Sequence, residues 1–282
     1  MTGDTTHALP IRVINLDRMP ERWDFVRAQF AAAGLADQTT RFSAIDASAP
    51  GFRAPGYAPH IWGDRWELET SEQAVFESHL ALWRQVAERH PGGAVICEDD
   101  ILVSQRFSTA LQALDLPRFG VVKLDGFAAT RRYGPAQQMG DWTVRPILEA
   151  VPSAACYAIG AEAARLLVAA SGAYCETLDD FLFRPRPGLT PVQVFPAVAV
   201  QGMSCVAGPA GPIPGTIAES QRDGPARSRK AGKGPLTYRL LKEARRLTRK
   251  LAQAGGTDRR LIARGGGVLC PDLAADLPEY RA

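Results

Sequence analysis

Three adjacent acids, Glu98-Asp99-Asp100, follow the apolar run Ala94–Cys97 and are the strongest chemical signal in this chain. Like charges so close repel, so the triplet needs solvent, cations or a metal to neutralise it. Strand-like alternation would put Glu98 and Asp100 on one face and Asp99 on the other. Two hard oxygen ligands on one face suit Mg2+ or Mn2+, above all when phosphate oxygens complete the shell. The alternative is an acidic turn in solvent. A second pair, Asp179-Asp180, offers a general base or simply caps the short element that buries Phe181 and Leu182. Arg18 and Arg22 flank a helix start, where cations oppose the helix dipole. A bound diphosphate would compensate them, and so would ion pairs with Asp17 or Glu21. His79 lies one step from the Phe76/Leu80/Trp83 helix face, a placement that favours a hydrogen-bonded core histidine over a catalyst.

These residues need elements to position them. Ile11–Leu16 reads as a buried strand. Pro20 then sits near a helix start, where its missing N–H is harmless, and Trp23, Val26, Phe30 and Ala33 follow at helical spacing up to Gly34. Arg41–Asp46 is a second strand, and residues 47–69 form a long Gly-, Pro- and Trp-containing loop. Thr70 or Ser71 can cap a helix reaching about Arg89, which Pro91-Gly92-Gly93 ends. The strand Ala94–Cys97 runs directly into the acid triplet. Further strands are expected at Gly120–Leu124, Ala154–Ile159 and Val192–Val200, with a loop over 126–142, a helix at Ala161–Ala170 and a short turn or helix at Asp179–Leu182. Strand-helix alternation predicts an α/β fold with an open, mostly parallel sheet. In such sheets ligands bind beyond the carboxyl ends of the strands, where the triplet falls.

The 282 residues are 46% hydrophobic and 22% charged, ordinary globular values that exclude a largely disordered chain. Mean hydropathy is −0.12, and no window approaches the roughly 20 apolar residues of a membrane span. Met1–Pro10 is polar, so no cleaved secretory leader is expected. Five scattered cysteines without a Cys-x-x-Cys give no support for a disulfide framework or a cysteine zinc site, and fit a reducing cytoplasm. The net charge of +3 is unevenly placed: between Arg222 and Lys250 eleven Lys and Arg face two acids, which leaves the rest of the chain acidic. A Gly/Pro-rich stretch from Gly208 and a basic linker over Arg222–Gly234 lead to a helix from Leu236, with Leu240, Leu241, Ala244, Leu247 and Leu251 along one stripe. Leucines between basic flanks describe a helix lying on an anionic membrane surface, with packing on the acidic body as the alternative. No aromatic stacking platform accompanies the charges, so nucleic acid is not an expected partner.

Read in order, these pieces resemble glycosyltransferase family 25, which contains bacterial lipooligosaccharide and procollagen galactosyltransferases. The resemblance rests on VINLDRMPER (13–22), RFSAIDA (41–47), SEQAVFESHLALWRQ (71–85), VICEDDILV (95–103), SAACYAIGAEAARLL (153–167), LDDFL (178–182) and PAVAVQ (196–201). Ser71 stands where the family has Gly, and Val75 where it has Cys. The resemblance implies a GT-A-like domain over residues 11–220, between a flexible 1–10 and a basic amphipathic tail at 221–282. It further implies an inverting transfer, assisted by Mn2+ or Mg2+, from a UDP-sugar such as UDP-galactose to a glycolipid or saccharide acceptor. On that reading Glu98 and Asp100 hold the metal, and Asp99 contacts the ribose or supports the ligands. Asp180, with Asp179 close behind, is the base. Arg18 and Arg22 face the diphosphate, while His79 and Glu72 order the site. The protein would work in the cytoplasm at the inner face of the membrane, held there by residues 222–254. The competing readings are a metal-dependent nucleotidyltransferase or phosphohydrolase using the same acids, and a non-catalytic, membrane-associated glycan-binding module.

Overall fold

The computed structural model describes residues 8–60, 65–205, 234–254 and 256–281. Strand β1 (Ile11–Asn15) leads into helix α1 (Pro20–Ala32), which begins on Pro20 as expected and ends ahead of Gly34. Strand β2 (Thr39–Ser43), helix α2 (Thr70–Arg89), strand β3 (Ala94–Glu98) and strand β4 (Ile101–Val103) follow. Short helices α3 (Phe107–Gln112) and α4 (Leu116–Phe119) precede strands β5 (Val121–Lys123), β6 (Asp125–Gly126), β7 (Arg131–Tyr133), β8 (Gln137–Met139), β9 (Trp142–Pro146) and β10 (Cys156–Ile159). Then come α5 (Ala161–Ala170), α6 (Leu178–Leu182), β11 (Val192–Phe195), β12 (Ala199–Gln201), α7 (Leu236–Ala254), α8 (Thr257–Ala263) and β13 (Gly267–Leu269).

Eight strands make the central sheet, in the order β2-β1-β3-β10-β5-β11-β9-β8. Six of them point the same way, while β10 and β9 oppose them. The open, mostly parallel sheet flanked by helices is therefore present, and its architecture is GT-A-like. Alternate strand residues feed two cores. Ile14, Ile96 and Tyr157 pack with α2, α5 and α6, while Val13, Val95 and Ala158 pack with α1, α3 and α4. The first core centres on Phe76, whose ring stacks on Tyr174 at 3.6 Å and meets Phe181 and Trp83 edge-on.

Three strands of the large sheet continue directly into a small sheet of order β4-β12-β6. Strand β3 passes into β4, β5 into β6 and β11 into β12. The sheet thus bends over at its carboxyl edge, and the residues at that bend are enclosed from both sides. Gly126 sits in this fold-over because a Cβ there would meet Leu273 at 2.7 Å and also the Tyr280 hydroxyl.

Several expectations need correction. The single strand expected over Val192–Val200 is two strands in different sheets, with Pro196, which has no N–H to donate, between them. The loop expected over 126–142 contains β7 and β8, and β8 extends the central sheet as a hairpin with β9. Helix α2 is capped by Glu69 rather than Thr70 or Ser71, and Glu72 completes a reciprocal capping box by accepting the Glu69 N–H at 2.9 Å. Residues 267–281, expected within the tail, return to the body: β13 pairs with β7, and Ala197 is bracketed by Asp272 and Ala274. The expected linker lies outside the described residues up to Lys233. The five cysteines are free, Cys97 and Cys156 facing each other across β3 and β10 at 3.3 Å.

Because Phe76 has three ring partners, Phe76→Ala should lower unfolding stability by about 3–5 kcal/mol in urea titration. A loss under about 1 kcal/mol would show that the site collapses without leaving a cavity.

Candidate active site

The acid triplet lies where β3 leaves the large sheet, so it stands at the carboxyl edge between β1 and β10. Glu98 keeps the alternation of β3 and faces α2, where His79 Nε2 is 3.9 Å from its Oε1. Asp99 faces the opposite side. It accepts a hydrogen bond from Asn15 Nδ2 at 2.7 Å and pairs with Arg22 at 2.8 Å. Asp100 is in the turn and reaches both sides. Its carboxylate pairs with Arg22 at 3.2 Å and accepts from the Gln201 amide at 3.1 Å, the same amide nitrogen that donates to Glu98 at 3.1 Å. The expected sharing of a face by Glu98 and Asp100 is thus realised through Gln201, although Asp100 also touches the cation of Asp99.

A fourth acid, Asp125, joins them from the next parallel strand. It is fully buried and holds Lys123 Nζ at 2.7 Å, Ser153 Oγ at 2.6 Å and the Cys156 N–H at 3.2 Å. Lys123 also donates to the Ser153 carbonyl, and Ser153 is held at φ 68°. Gln193, fully buried, donates to the carbonyls of Lys123 and Asp125 at 3.3 and 3.2 Å. The sequence reading missed Asp125, Lys123, Ser153, Asn15 and Gln201 as site residues. The usable signal was positional: each lies at the sheet edge where the triplet falls.

Four carboxylates face two cations, Arg22 and Lys123. Burial raises the pKa of all four, and for Glu98 the neighbouring Asp100, Asp99 and Asp125 raise it further. For Asp99 the result is about 6, because desolvation outweighs Arg22 and the Asn15 hydrogen bond. Lys123 is shifted down by burial and held up by Asp125 and, more weakly, by Asp179. The Glu98 side chain keeps 24% of its surface exposed, so this part of the cluster remains reachable.

A chain of aromatic side chains orders the α2 side. Trp83 Nε1 donates to the Tyr157 hydroxyl at 2.8 Å, and that hydroxyl is 2.8 Å from His79 Nδ1. If the tyrosine proton goes to Nδ1, His79 carries its own hydrogen on Nε2, on the side of Glu98. Nε2 has no hydrogen-bond partner, and burial pushes the His79 pKa down to about 3. His79 is therefore a neutral core residue as well as a neighbour of Glu98.

Arg22 is nine-tenths buried and committed to Asp99 and Asp100. Arg18 is half exposed and pairs with Asp46 at 3.5 Å, rather than with Asp17 or Glu21. Glu72 does not reach the acids: besides the cap, it pairs with Arg65. Asp179 and Asp180 lie in the first turn of α6, with Asp179 near enough to Lys123 for its charge to be felt there. An open cleft of ≈ 420 Å³ lies against the cluster, lined in part by Phe127, Ser153 and Gln201. Ser153 and Gln201 each carry a hydrogen bond from this cleft to the acids behind it.

Residues 8–126 match the model of glycosyltransferase family 25 (LPS biosynthesis protein), which shows the family resemblance over β1 to β6, including the acid triplet and Asp125. No curated protein matches the chain.

Folded His79 stays neutral above about pH 3, whereas the unfolded side chain takes a proton below about 6.5. Its contribution to stability is therefore complete above 6.5 and declines as pH falls toward 3. Wild type should lose more stability than His79→Gln between about pH 7 and about pH 4.5, read as the shift in urea midpoint. Equal shifts would mean that His79 titrates normally when folded.

Proposed function

We propose that this chain, whose residues 8–126 carry the glycosyltransferase family 25 match, transfers a sugar from a nucleoside-diphosphate donor to a glycan acceptor of lipopolysaccharide. The observation that carries the reading is the Glu98–Gln201–Asp100 arrangement, with acids closing a central strand beside an open cleft. Family resemblance makes galactose from UDP-galactose the sugar of choice and inversion the stereochemical course.

The residues fit a divalent cation. Two carboxylates converge on one amide nitrogen, Glu98 is partly exposed, and the four acid side chains share only two cationic partners. Among the described residues no three His, Cys, Asp or Glu side chains gather to hold an ion by themselves, and an ion bound between Glu98 and Asp100 would take further oxygens from substrate phosphates. Bound there, Mn2+ or Mg2+ would act as a Lewis acid toward the leaving diphosphate. Glu98 and Asp100 would hold the ion, and Arg22 keeps Asp100 oriented and partly neutralised. Asp99, drawn away by Asn15 and Arg22, supports the turn. His79 fixes the α2 side of Glu98. On α6, Asp180 is the proposed base for the acceptor hydroxyl, with Asp179 beside it.

Thermal shift with UDP-galactose, UDP-glucose and UDP-N-acetylhexosamines, with and without Mn2+, tests donor and metal together. Wild type should be stabilised by one donor in a Mn2+-dependent way, and Asp100→Asn should lower sugar transfer at least about 100-fold. Unchanged transfer would remove the metal role. Nucleotide release that needs no sugar acceptor would instead favour a phosphohydrolase.

We also propose that α7 holds the enzyme at an anionic membrane surface on the cytoplasmic side. Leu236, Leu240 and Leu247 lie on one exposed stripe, while Tyr238 points inward against Trp66 at 5.4 Å. Basic residues fill the remaining faces of the helix. No helix among the described residues is long and apolar enough to cross a membrane. The double variant Leu240→Gln/Leu247→Gln should lose binding to phosphatidylglycerol-containing vesicles and keep its fold, because both side chains are exposed. Undiminished vesicle binding would overturn this role.

A further inference from the structure

The charges nominated for the diphosphate, Arg18 and Arg22, do not line the cleft, and neither does Lys123 of the acid cluster. Arg22 is buried against Asp99 and Asp100, Lys123 is buried behind Asp125, and Arg18 pairs with Asp46. A leaving diphosphate still needs positive charge on the side away from the acids. The cleft has one charged lining residue among those described: Arg281, which stands at its wall with Phe127, Ser153, Gln201, Met203 and Ser204.

The chain's own carboxyl-terminal segment brings Arg281 there. After β13 pairs with β7, Asp272 and Ala274 bracket Ala197, and the Asp276 carboxylate accepts from Ser104 Oγ and Gln105 N–H, each at 2.7 Å. Tyr280 passes over Gly126 and donates from its hydroxyl to the Pro271 carbonyl at 2.7 Å. Cys205 and Tyr280 form a β-bridge, and Arg281 N–H donates to the Ser204 carbonyl at 3.0 Å. Leu273, Leu277 and Tyr280 pack with Leu102, Val200 and Cys205 of the small-sheet region. The backbone of this strap is therefore fixed up to its last turn, while the Arg281 side chain is exposed and has no ion-pair partner among the described residues.

We infer that Arg281 is a donor-binding residue whose guanidinium grips the diphosphate from the cleft side, opposite the Glu98/Asp100 pair. This rests on the glycosyltransferase reading of the site. A planar guanidinium offers two parallel N–H donors to phosphate oxygens, and an anchored backbone lowers the entropy lost on forming them. Phe127 and Met203 beside it provide apolar contact for the uncharged part of the donor. The strap thus belongs to the active site, although it is far from the acid triplet in sequence.

Titration calorimetry of the full chain with Mn2+ tests the assignment, using UDP, uridine and inorganic pyrophosphate against wild type, Arg281→Gln and Arg281→Lys. Arg281→Gln should weaken UDP and pyrophosphate by ~10- to 100-fold, leave uridine unchanged and leave the ligand-free Tm unchanged. Arg281→Lys should recover part of the loss, since charge returns without the fork. Equal UDP and pyrophosphate affinities in wild type and Arg281→Gln would overturn the assignment, as would an equal loss for uridine. Wild type that binds pyrophosphate through Arg281 but gains nothing from the nucleoside would keep the anion site and count against the nucleotide-sugar reading. Wild type that binds neither would overturn both.

Discussion

Everything in this site depends on holding four carboxylates together at low exposure with only two cations. Removing a carboxylate from water is costly, and the cost is tolerable only where hydrogen bonds and counter-charges replace the lost hydration. Here Asn15 and Arg22 serve Asp99, Arg22 and Gln201 serve Asp100, and Lys123, Ser153 and a backbone N–H serve Asp125. Glu98 has the weakest provision, with one amide nitrogen and a histidine just beyond bonding distance. The least satisfied acid is also the one that keeps solvent access.

That concentration follows from the way the sheet turns over. Strands β3, β5 and β11 each pass within a few residues into the small sheet, so the residues at their carboxyl ends gather at one edge. Parallel strands put like ends together, and beyond Asp99-Asp100 strand β4 runs antiparallel to β12, which itself runs parallel to β6. Antiparallel β10 contributes its opposite end at the same edge, which is why Ser153 meets Asp125. The carboxyl-terminal strap covers the outer side of the small sheet and brings one arginine to the cleft.

The helix behind Glu98 serves packing and chemistry with the same residues. Phe76, Leu80 and Trp83 fill the core, while Trp83 and His79 engage the Tyr157 hydroxyl that would otherwise be buried without a partner. A histidine on an apolar face is thus satisfied as a core residue and still reaches the site. The two readings of His79 are compatible because the helix lies directly against the strand carrying Tyr157.

The sequence alone placed β1, α1, α2, β3, α5 and α6 and located the acid triplet at a strand end, since hydrophobic period, proline and glycine placement, and charge repulsion are local properties. It also marked α7 as amphipathic. It did not locate Asp125, Lys123 or Gln201, nor the pairing of Arg22 with Asp99 and Asp100 or the place of Glu72 in the cap of α2. Those outcomes depend on which side chains meet across distant segments. Asp125 is separated from the triplet by two helices and two strands, and Gln201 by about half the folded body. Only the closing of one sheet edge over the other decides which charges are desolvated together, and electrostatic energy depends on that shared burial far more than on position along the chain.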